Sequence, residues 1–297
     1  MAISLRQLEI FEKVAKCEHV TQASTQLFLT QSAVSMAIAE LERVAGAPLF
    51  ERRGKRLLLN DRGRKILPEA EEVIRRTRAI EQFLEDSAGE PRGVLNVGAS
   101  TTIGNYILPE LIAEFSGNYP DAKVLLTIGN AQQIEHALER GELDLGLIEG
   151  IPHSGVLDST PWKKDELVVV VGKGHPWACE GAASVEMLEN APWIMRETGS
   201  GTREVFEGAM AGKGIPFSIS LELGHTEAIK KAIEAGLGVG CLSRIAVNRE
   251  LEHGWLVEIT CPLDLKRTLS LQTRQSGYKT RLLCAFWSLL NRHKDGA

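Results

Sequence analysis

Several features that would send the interpretation elsewhere are missing from this chain. Its five cysteines (Cys17, Cys179, Cys241, Cys261, Cys284) stand singly, with no C-x-x-C pair. An odd number without close spacing argues against a disulfide framework and a zinc site, and predicts buried or partly buried free thiols in a reducing compartment. No apolar run is long enough to cross a bilayer. The chain runs at once into the amphipathic Leu5-Arg-Gln-Leu-Glu-Ile-Phe11, so no secretory leader, no membrane partner and a cytoplasmic location are expected. Its histidines are dispersed, and neither H-E-x-x-H nor G-x-S-x-G occurs. His136 and His225 read better as surface or supporting groups than as catalysts. Gly199-Ser-Gly201 and Gly236-Leu-Gly-Val-Gly240 lack the G-x-G-x-x-G spacing between a first strand and its helix, so tight turns are predicted there and no cofactor is expected.

What is present begins with an uneven charge. At 297 residues the chain suggests two or three domains, with a net charge of −5. Residues 1–67 hold 11 Lys or Arg and 7 Asp or Glu, so +4, and the remainder carries −9. Seven bases and one acid, Asp61, fall between Arg52 and Lys65. A basic module on an acidic body can hold phosphates while the body stays clear of them.

Within the module, Leu5, Leu8, Ile10, Phe11, Val14 and Ala15 recur at helical spacing. Thr21 and Thr30 are plausible N-caps of a second and third helix, and Gly46 with Pro48 ends the third. The third helix carries Val34, Ile38 and Leu41 on one stripe and Gln31, Ser32 and Ser35 on the opposite one. A slim, hydrogen-bonding helix face suits the major groove. Leu49-Phe50-Glu-Arg-Arg-Gly-Lys-Arg-Leu-Leu-Leu59 reads as a basic hairpin turning at Gly54, which completes a winged helix-turn-helix over residues 1–62.

Residues 63–90 read as a linker helix. Ala70, Val73, Thr77, Ile80 and Leu84 follow steps of 3, 4, 3 and 4. Packing on its own domain is the plain interpretation; a dimer seam is preferred because charges surround the stripe on a segment joining two domains. Ser87–Gly93 then breaks the helix.

Residues 91–297 alternate strands and helices, an α/β body with mostly parallel sheets. Strands are predicted at Val94–Gly98, Lys123–Ile128, Leu143–Ile148, Leu167–Val171, Trp193–Arg196, Ile219–Leu223, Val239–Leu242 and Thr268–Gln272, with helices after Gly104, Asn130, Gly199, Thr226 and Lys279. The length suits two subdomains flanking a cleft, about 91–163 with 266–297 and about 164–265.

The run Leu8-Glu-Ile-Phe11, Thr21-x-Ala23, Leu27, Thr30-Gln-Ser-Ala-Val-Ser-x-x-Ile38-x-x-Leu-Glu42, Gly46, Leu49-Phe50-x-Arg52 and Leu59-x-x-x-Gly63 resembles the LysR-type transcriptional regulators. Ser24 and Thr30 depart mildly from the family pattern, as residues small enough to keep the helix pair close. The resemblance implies a winged head, a linker helix and a periplasmic-binding-protein-like effector domain of two α/β subdomains. It also implies double-stranded DNA and a small-molecule effector as partners, a homodimer or homotetramer, and allows RNA polymerase. DNA contacts are then expected from Thr30, Gln31, Ser32, Ser35 and Met36 on the third helix and from Arg52, Arg53 and Lys55 on the wing. For Thr30 the preferred role is the helix cap, with its neighbouring amides pointing at a phosphate.

In the body, Ser100, Thr101 and Thr102, then Thr198, Ser200 and Thr202, then His225 and Thr226 fall where strands give way to helices. Such positions suit small anions, though each threonine alone reads equally as an N-cap. The resemblance places the effector in the cleft, with Ser100, Thr102 and Thr202 on effector-binding positions; Asn130 and Glu149 join the candidates. Serine- and threonine-rich first turns resemble the sulfur-assimilation branch, so a carboxylate or inorganic oxyanion is expected. Glu149 would repel it unless paired with Arg203 or turned away. A solute-binding protein explains the body but not the head, and an anion-binding enzyme lacks a catalytic motif.

Overall fold

The computed structural model describes residues 3–54, 56–85, 90–275 and 279–294, apart from the side chains of residues 78, 79 and 82–85. The chain divides into two compact units, Met1–Ala88 and Gly89–Ala297.

The first unit holds α1 (Leu5–Cys17), α2 (Val20–Gln26), α3 (Gln31–Ala45), a hairpin of β1 (Phe50–Arg53) and β2 (Arg56–Leu59), and α4 (Asp61–Glu85). Ser4 and Gln7 form a capping box at α1, and Thr30 accepts from the Ala33 amide at α3. Gly46 at φ +70° closes α3 in the left-handed region. Phe11, Val14, Ala23, Val34, Ile38, Leu41, Leu49 and Phe50 make one core. Glu42 Oε1 accepts from the Leu49 and Phe50 amides at 2.7 and 3.3 Å and so aims the chain from α3 into the hairpin. Gly63 is needed for close approach: a Cβ there would fall 2.2 Å from the Leu49 carbonyl oxygen. The hairpin is antiparallel, with Phe50 opposite Leu59 and a turn at Gly54, φ +64°.

Along α4 the predicted seam divides. Ala70 joins the core of its own domain and Ile74 is buried as well, while Val73 and Ile80 are 46% and 60% exposed. Ala70 therefore belongs to the packed face. The Leu84 side chain, Lys55 on the wing, residue 86 and residues 87–89 of the predicted linker break lie outside the described residues.

The second unit opens with β3 (Gly93–Ser100), α5 (Thr101–Tyr106), α6 (Leu108–Asn118), β4 (Ala122–Gly129), α7 (Ala131–Glu139) and β5 (Leu145–Glu149). The long β6 (Leu157–Gly172) leads to α8 (Pro176–Glu180), α9 (Val185–Asn190), β7 (Pro192–Met195), α10 (Gly201–Gly212), β8 (Ser218–Glu222), α11 (Thr226–Glu234), β9 (Val239–Ser243), α12 (Arg244–Glu252) and β10 (Leu256–Ile259). Finally β11 (Lys266–Arg274) and α13 (Arg281–Arg292) return to the first lobe.

Among the described residues the strands order as β4-β3-β5-β11-β6-β9-β7-β8, with β10 on β6. Parallel pairs lie within each lobe (β3 with β4 and β5, β7 with β8 and β9). Every pairing of β6 and β11 is antiparallel. The sheets are therefore mixed, contrary to the expectation of mostly parallel ones. The physical reason is the two crossings between lobes: β6 runs from the first into the second and β11 runs back beside it. Residues 157–166 of β6 pair with β11, and residues 167–172 pair with β9 and β10.

In lobe two, Leu167, Val169 and Val171 face a core with Trp193, Phe206 and Met210, while Val168 and Val170 face Ile229, Ile233 and Leu242. A strand covered on both faces reads as a continuous apolar run, which is why Leu167–Val171 is visible in the sequence. Lobe one packs α5, α6 and α13 residues around Leu95, Val97, Trp162, Phe115 and Phe286.

Candidate functional site

Two polar arrangements stand out, one in each unit. On α3, Gln31, Ser32, Ser35 and Met36 are all at least partly exposed, Met36 by 73%. The buried stripe of Val34, Ile38 and Leu41 turns that face outward. Thr30 is occupied as the cap, with its hydroxyl 3.0 Å from Ser32 Oγ. Arg52 and Arg53 are exposed on β1. Apart from Ser32, which shares a hydrogen bond with Thr30, exposed amide, hydroxyl and guanidinium groups on this face can meet base edges and phosphates directly.

In the second unit, the strand-to-helix turns of both lobes meet around two buried arginines that the sequence reading did not single out. Arg267 on β11 and Arg196 just after β7 are 6% and 2% exposed. Arg267 Nε donates to Asp165 at 2.7 Å, Nη1 to Thr202 Oγ1 at 3.0 Å, and Nη2 to Thr102 Oγ1 and Glu149 Oε2 at 3.3 Å each. Glu149 is thus neutralised by Arg267. The expected partner Arg203 instead pairs with Glu207 and Glu222 at 2.7 and 2.6 Å. Chain geometry explains the correction: β11 lies directly beside β5, with Leu269 opposite Glu149, whereas Arg203 points along its own helix to residue i+4.

Arg196 donates through Nε and Nη2 to Glu197 and through Nη2 to Thr101 Oγ1 at 3.0 Å. Burial alone would raise the Glu197 carboxyl, but the Arg196 guanidinium and the Asn130 amide hold it below the usual range. Thr101 donates its own proton to the Gly129 carbonyl, and Thr202 donates to Glu149 Oε1 at 3.4 Å. Those hydroxyls are internally engaged. Ser100 Oγ, Ser200 Oγ and Arg196 Nη1 are different: each is buried with no hydrogen-bond partner among the described residues. A buried donor without a partner costs roughly 1–3 kcal/mol, so each of these three groups has hydrogen-bonding capacity left to offer.

The remaining candidates separate. Asn130 caps α7 and bridges to Glu197 and the Thr198 carbonyl, so it clasps one lobe to the other. Thr198 is exposed and lines a cavity of about 500 Å³ with Gln132, His136, His153 and Arg203. His225 is exposed and Thr226 is buried at the start of α11; the hydrogen bonds described at this site reach neither side chain. Gly201 has a close-approach role: a Cβ there would lie 1.8 Å from the Glu149 carbonyl oxygen. His136 is exposed. All five cysteines are free, but Cys179 and Cys284 are exposed rather than buried. Among the described residues no helix is long and apolar enough to cross a membrane, and no group of His, Cys, Asp or Glu could hold a metal.

Comparison with known proteins matches residues 5–64 to the bacterial regulatory helix-turn-helix protein of the lysR family and residues 88–295 to the LysR substrate binding domain. The chain belongs to the LysR family. It is a DNA-binding transcriptional regulator with an effector-binding domain, so the exposed face of α3 and the polar core between the lobes belong to its two working parts. This LysR-family chain is 44% identical over 270 residues to the HTH-type transcriptional regulator YeiE of Escherichia coli K12, covering 91% of this chain and 90% of YeiE. A full-length OxyR variant of Pseudomonas aeruginosa shares the fold at TM-score 0.74 and 22% identity, covering 98% of this chain and 95% of that one. The CcmR regulatory domain of Synechocystis, solved in complex with 2-PG, aligns at TM-score 0.64 and 29% identity, covering 69% of this chain and 99% of that one.

Proposed function

We propose that this regulator reads duplex DNA through Gln31, Ser32, Ser35 and Met36, with Arg52 and Arg53 on phosphates or in the minor groove, and that a small oxyanion or carboxylate bound between the lobes sets its activity. The observation that carries the effector half is the trio of buried donors without partners, Ser100 Oγ, Ser200 Oγ and Arg196 Nη1. Acceptor-rich anions satisfy such donors, and water-poor surroundings strengthen each contact. The two serines stand on lobe one and lobe two respectively, so a ligand bridging them favours one lobe arrangement over another, and differential affinity is all that a switch requires. The CcmR relative, whose solved complex contains 2-PG, supports an anionic class.

The regulator works as a homodimer or tetramer through the Val73, Thr77 and Ile80 stripe of α4, exposed at Val73 and Ile80 and half-buried at Thr77, in the cytoplasm, without cofactor or catalysis. Calorimetric titration of the full chain with sulfur oxyanions and metabolic acids tests the effector. Micromolar binding of at least one anion is expected, and binding of neutral or cationic ligands alone would overturn it. A gel shift across a salt series tests the DNA half: sequence-specific retention that weakens steeply with salt is expected.

A further inference from the structure

We propose that Glu149 makes the site between the lobes selective for oxyanions that keep one acidic proton, such as hydrogen phosphate or hydrogen sulfite, over fully deprotonated ones such as sulfate. The inference rests on the oxyanion reading above and concerns which anions that site accepts.

Charge is the first argument. Two guanidinium groups, Arg196 and Arg267, face three carboxylates, Glu149, Asp165 and Glu197. Arg267 contacts both Glu149 and Asp165, and Arg196 contacts Glu197. Both arginines are therefore already balanced, so an entering anion meets no surplus of positive charge to offset its desolvation, and a proton it can donate to one of these carboxylates lowers that cost.

Hydrogen-bond capacity is the second. Ser100 Oγ, Ser200 Oγ and Arg196 Nη1, the groups without partners that concern this site, can all donate, and they call for a ligand rich in acceptors. Glu149 is the opposite: it is 1% exposed, and among the described residues its carboxylate receives only a 3.4 Å contact from Thr202 and a 3.3 Å contact from Arg267. An ionised carboxylate offers about four lone-pair sites, so this one retains acceptor capacity that long contacts leave poorly used. It lies against the site, because Thr102, Thr202 and Glu149 share Arg267, and the Glu149 backbone abuts Gly201 beside Ser200. A ligand O–H fills that acceptor. A ligand without the proton turns oxygen lone pairs toward a buried carboxylate, and sites that hydrogen-bond a hydroxyl reject analogues lacking it.

The test is calorimetric titration of the full chain at neutral pH with sulfate, inorganic phosphate and sulfite, repeated on Glu149→Gln, whose amide can donate. Phosphate or sulfite is expected to bind wild type at least about tenfold more tightly than sulfate, and the variant to bind sulfate about tenfold better than wild type does. Equal or tighter sulfate binding by wild type overturns the selectivity and leaves the oxyanion reading standing. So does an unchanged preference in a Glu149→Gln protein whose melting transition is intact; if that variant does not fold, the wild-type ratio decides alone. If these anions and all the carboxylic acids fail to bind, the oxyanion reading itself fails and the selectivity falls with it.

Discussion

The head and the body of this regulator use the same small polar residues in opposite surroundings. Gln31, Ser32 and Ser35 lie on the outer face of α3, where water satisfies them until a duplex arrives. Ser100, Thr101, Thr102, Ser200 and Thr202 are each no more than 6% exposed. Outside, a hydroxyl without a protein partner costs almost nothing and says little. Inside, it must be partnered or it weighs on the fold. The same residue type is therefore informative in one place for what holds it in position, and in the other for what it lacks.

The sharpest way to break the comparison is Arg267→Met. It would leave Glu149 and Asp165 buried without their cation, a loss of about 3–5 kcal/mol. The calorimetric transition of the effector domain should fall steeply while that of the head stays put; an unmoved effector transition would mean that the buried network does not hold the lobes. Gln31→Ala comes next. Operator affinity should drop by about 1–3 kcal/mol of base discrimination with no change in melting or effector titration. Unaltered sequence preference in a gel shift would remove Gln31 from the reading face.

How far these surroundings were legible in the sequence differs between the two units. The head was legible because its pattern is local: Val34, Ile38 and Leu41 on one stripe leave Ser32 and Met36 on the opposite side, with Gln31 exposed in the first turn and Ser35 beside them. The strands covered on both faces were also visible as apolar runs. Strand residues 157–166 were not, because Leu157-Asp-Ser-Thr-Pro-Trp-Lys-Lys-Asp-Glu166 is polar and gains its ladder only from β11, a partner about a hundred residues away. Leu256–Ile259 is a short strand that owes its pairing to β6. The same distance hid Arg267: nothing near it in sequence distinguishes it from Lys266, and only the β5–β11 register brings it to Glu149. The turns at Ser100 and Ser200 could be seen, but which hydroxyls are engaged internally depends on contacts across the lobes.

Ser100→Ala and Ser200→Ala sharpen the contrast further. Removing a hydroxyl with no partner should leave thermal stability unchanged or raise it by up to about 1 kcal/mol, while anion affinity drops about tenfold. Thr202→Ala, which strips partners from Arg267 and Glu149, should instead cost stability. Equal losses of stability in all three would show that the serines are structural caps after all.

The smallest expected effect lies elsewhere in the effector domain, where Tyr106 on α5 donates to Glu227 on α11 and its ring lies 5.4 Å from the buried Lys230 ammonium. Lys230 in turn holds Glu250 at 2.9 Å. Burial above all, with the Glu227 carboxylate, pushes the Tyr106 phenol up to about 12. A group whose folded pKa is raised contributes stability that is complete below its unfolded pKa of about 10 and is lost as pH climbs toward 12. Because Tyr106 is only about half buried, solvent screening keeps the effect small. Phenolate absorbance in an alkaline titration should therefore show a late-ionising tyrosine whose midpoint moves part of the way down in Glu227→Gln with Lys230 retained, because burial still holds it above an ordinary phenol. A phenol that titrates at about 10 in wild type would show that the hydroxyl is hydrated, and that this contact between the lobes adds nothing to the hold exerted by the buried arginines.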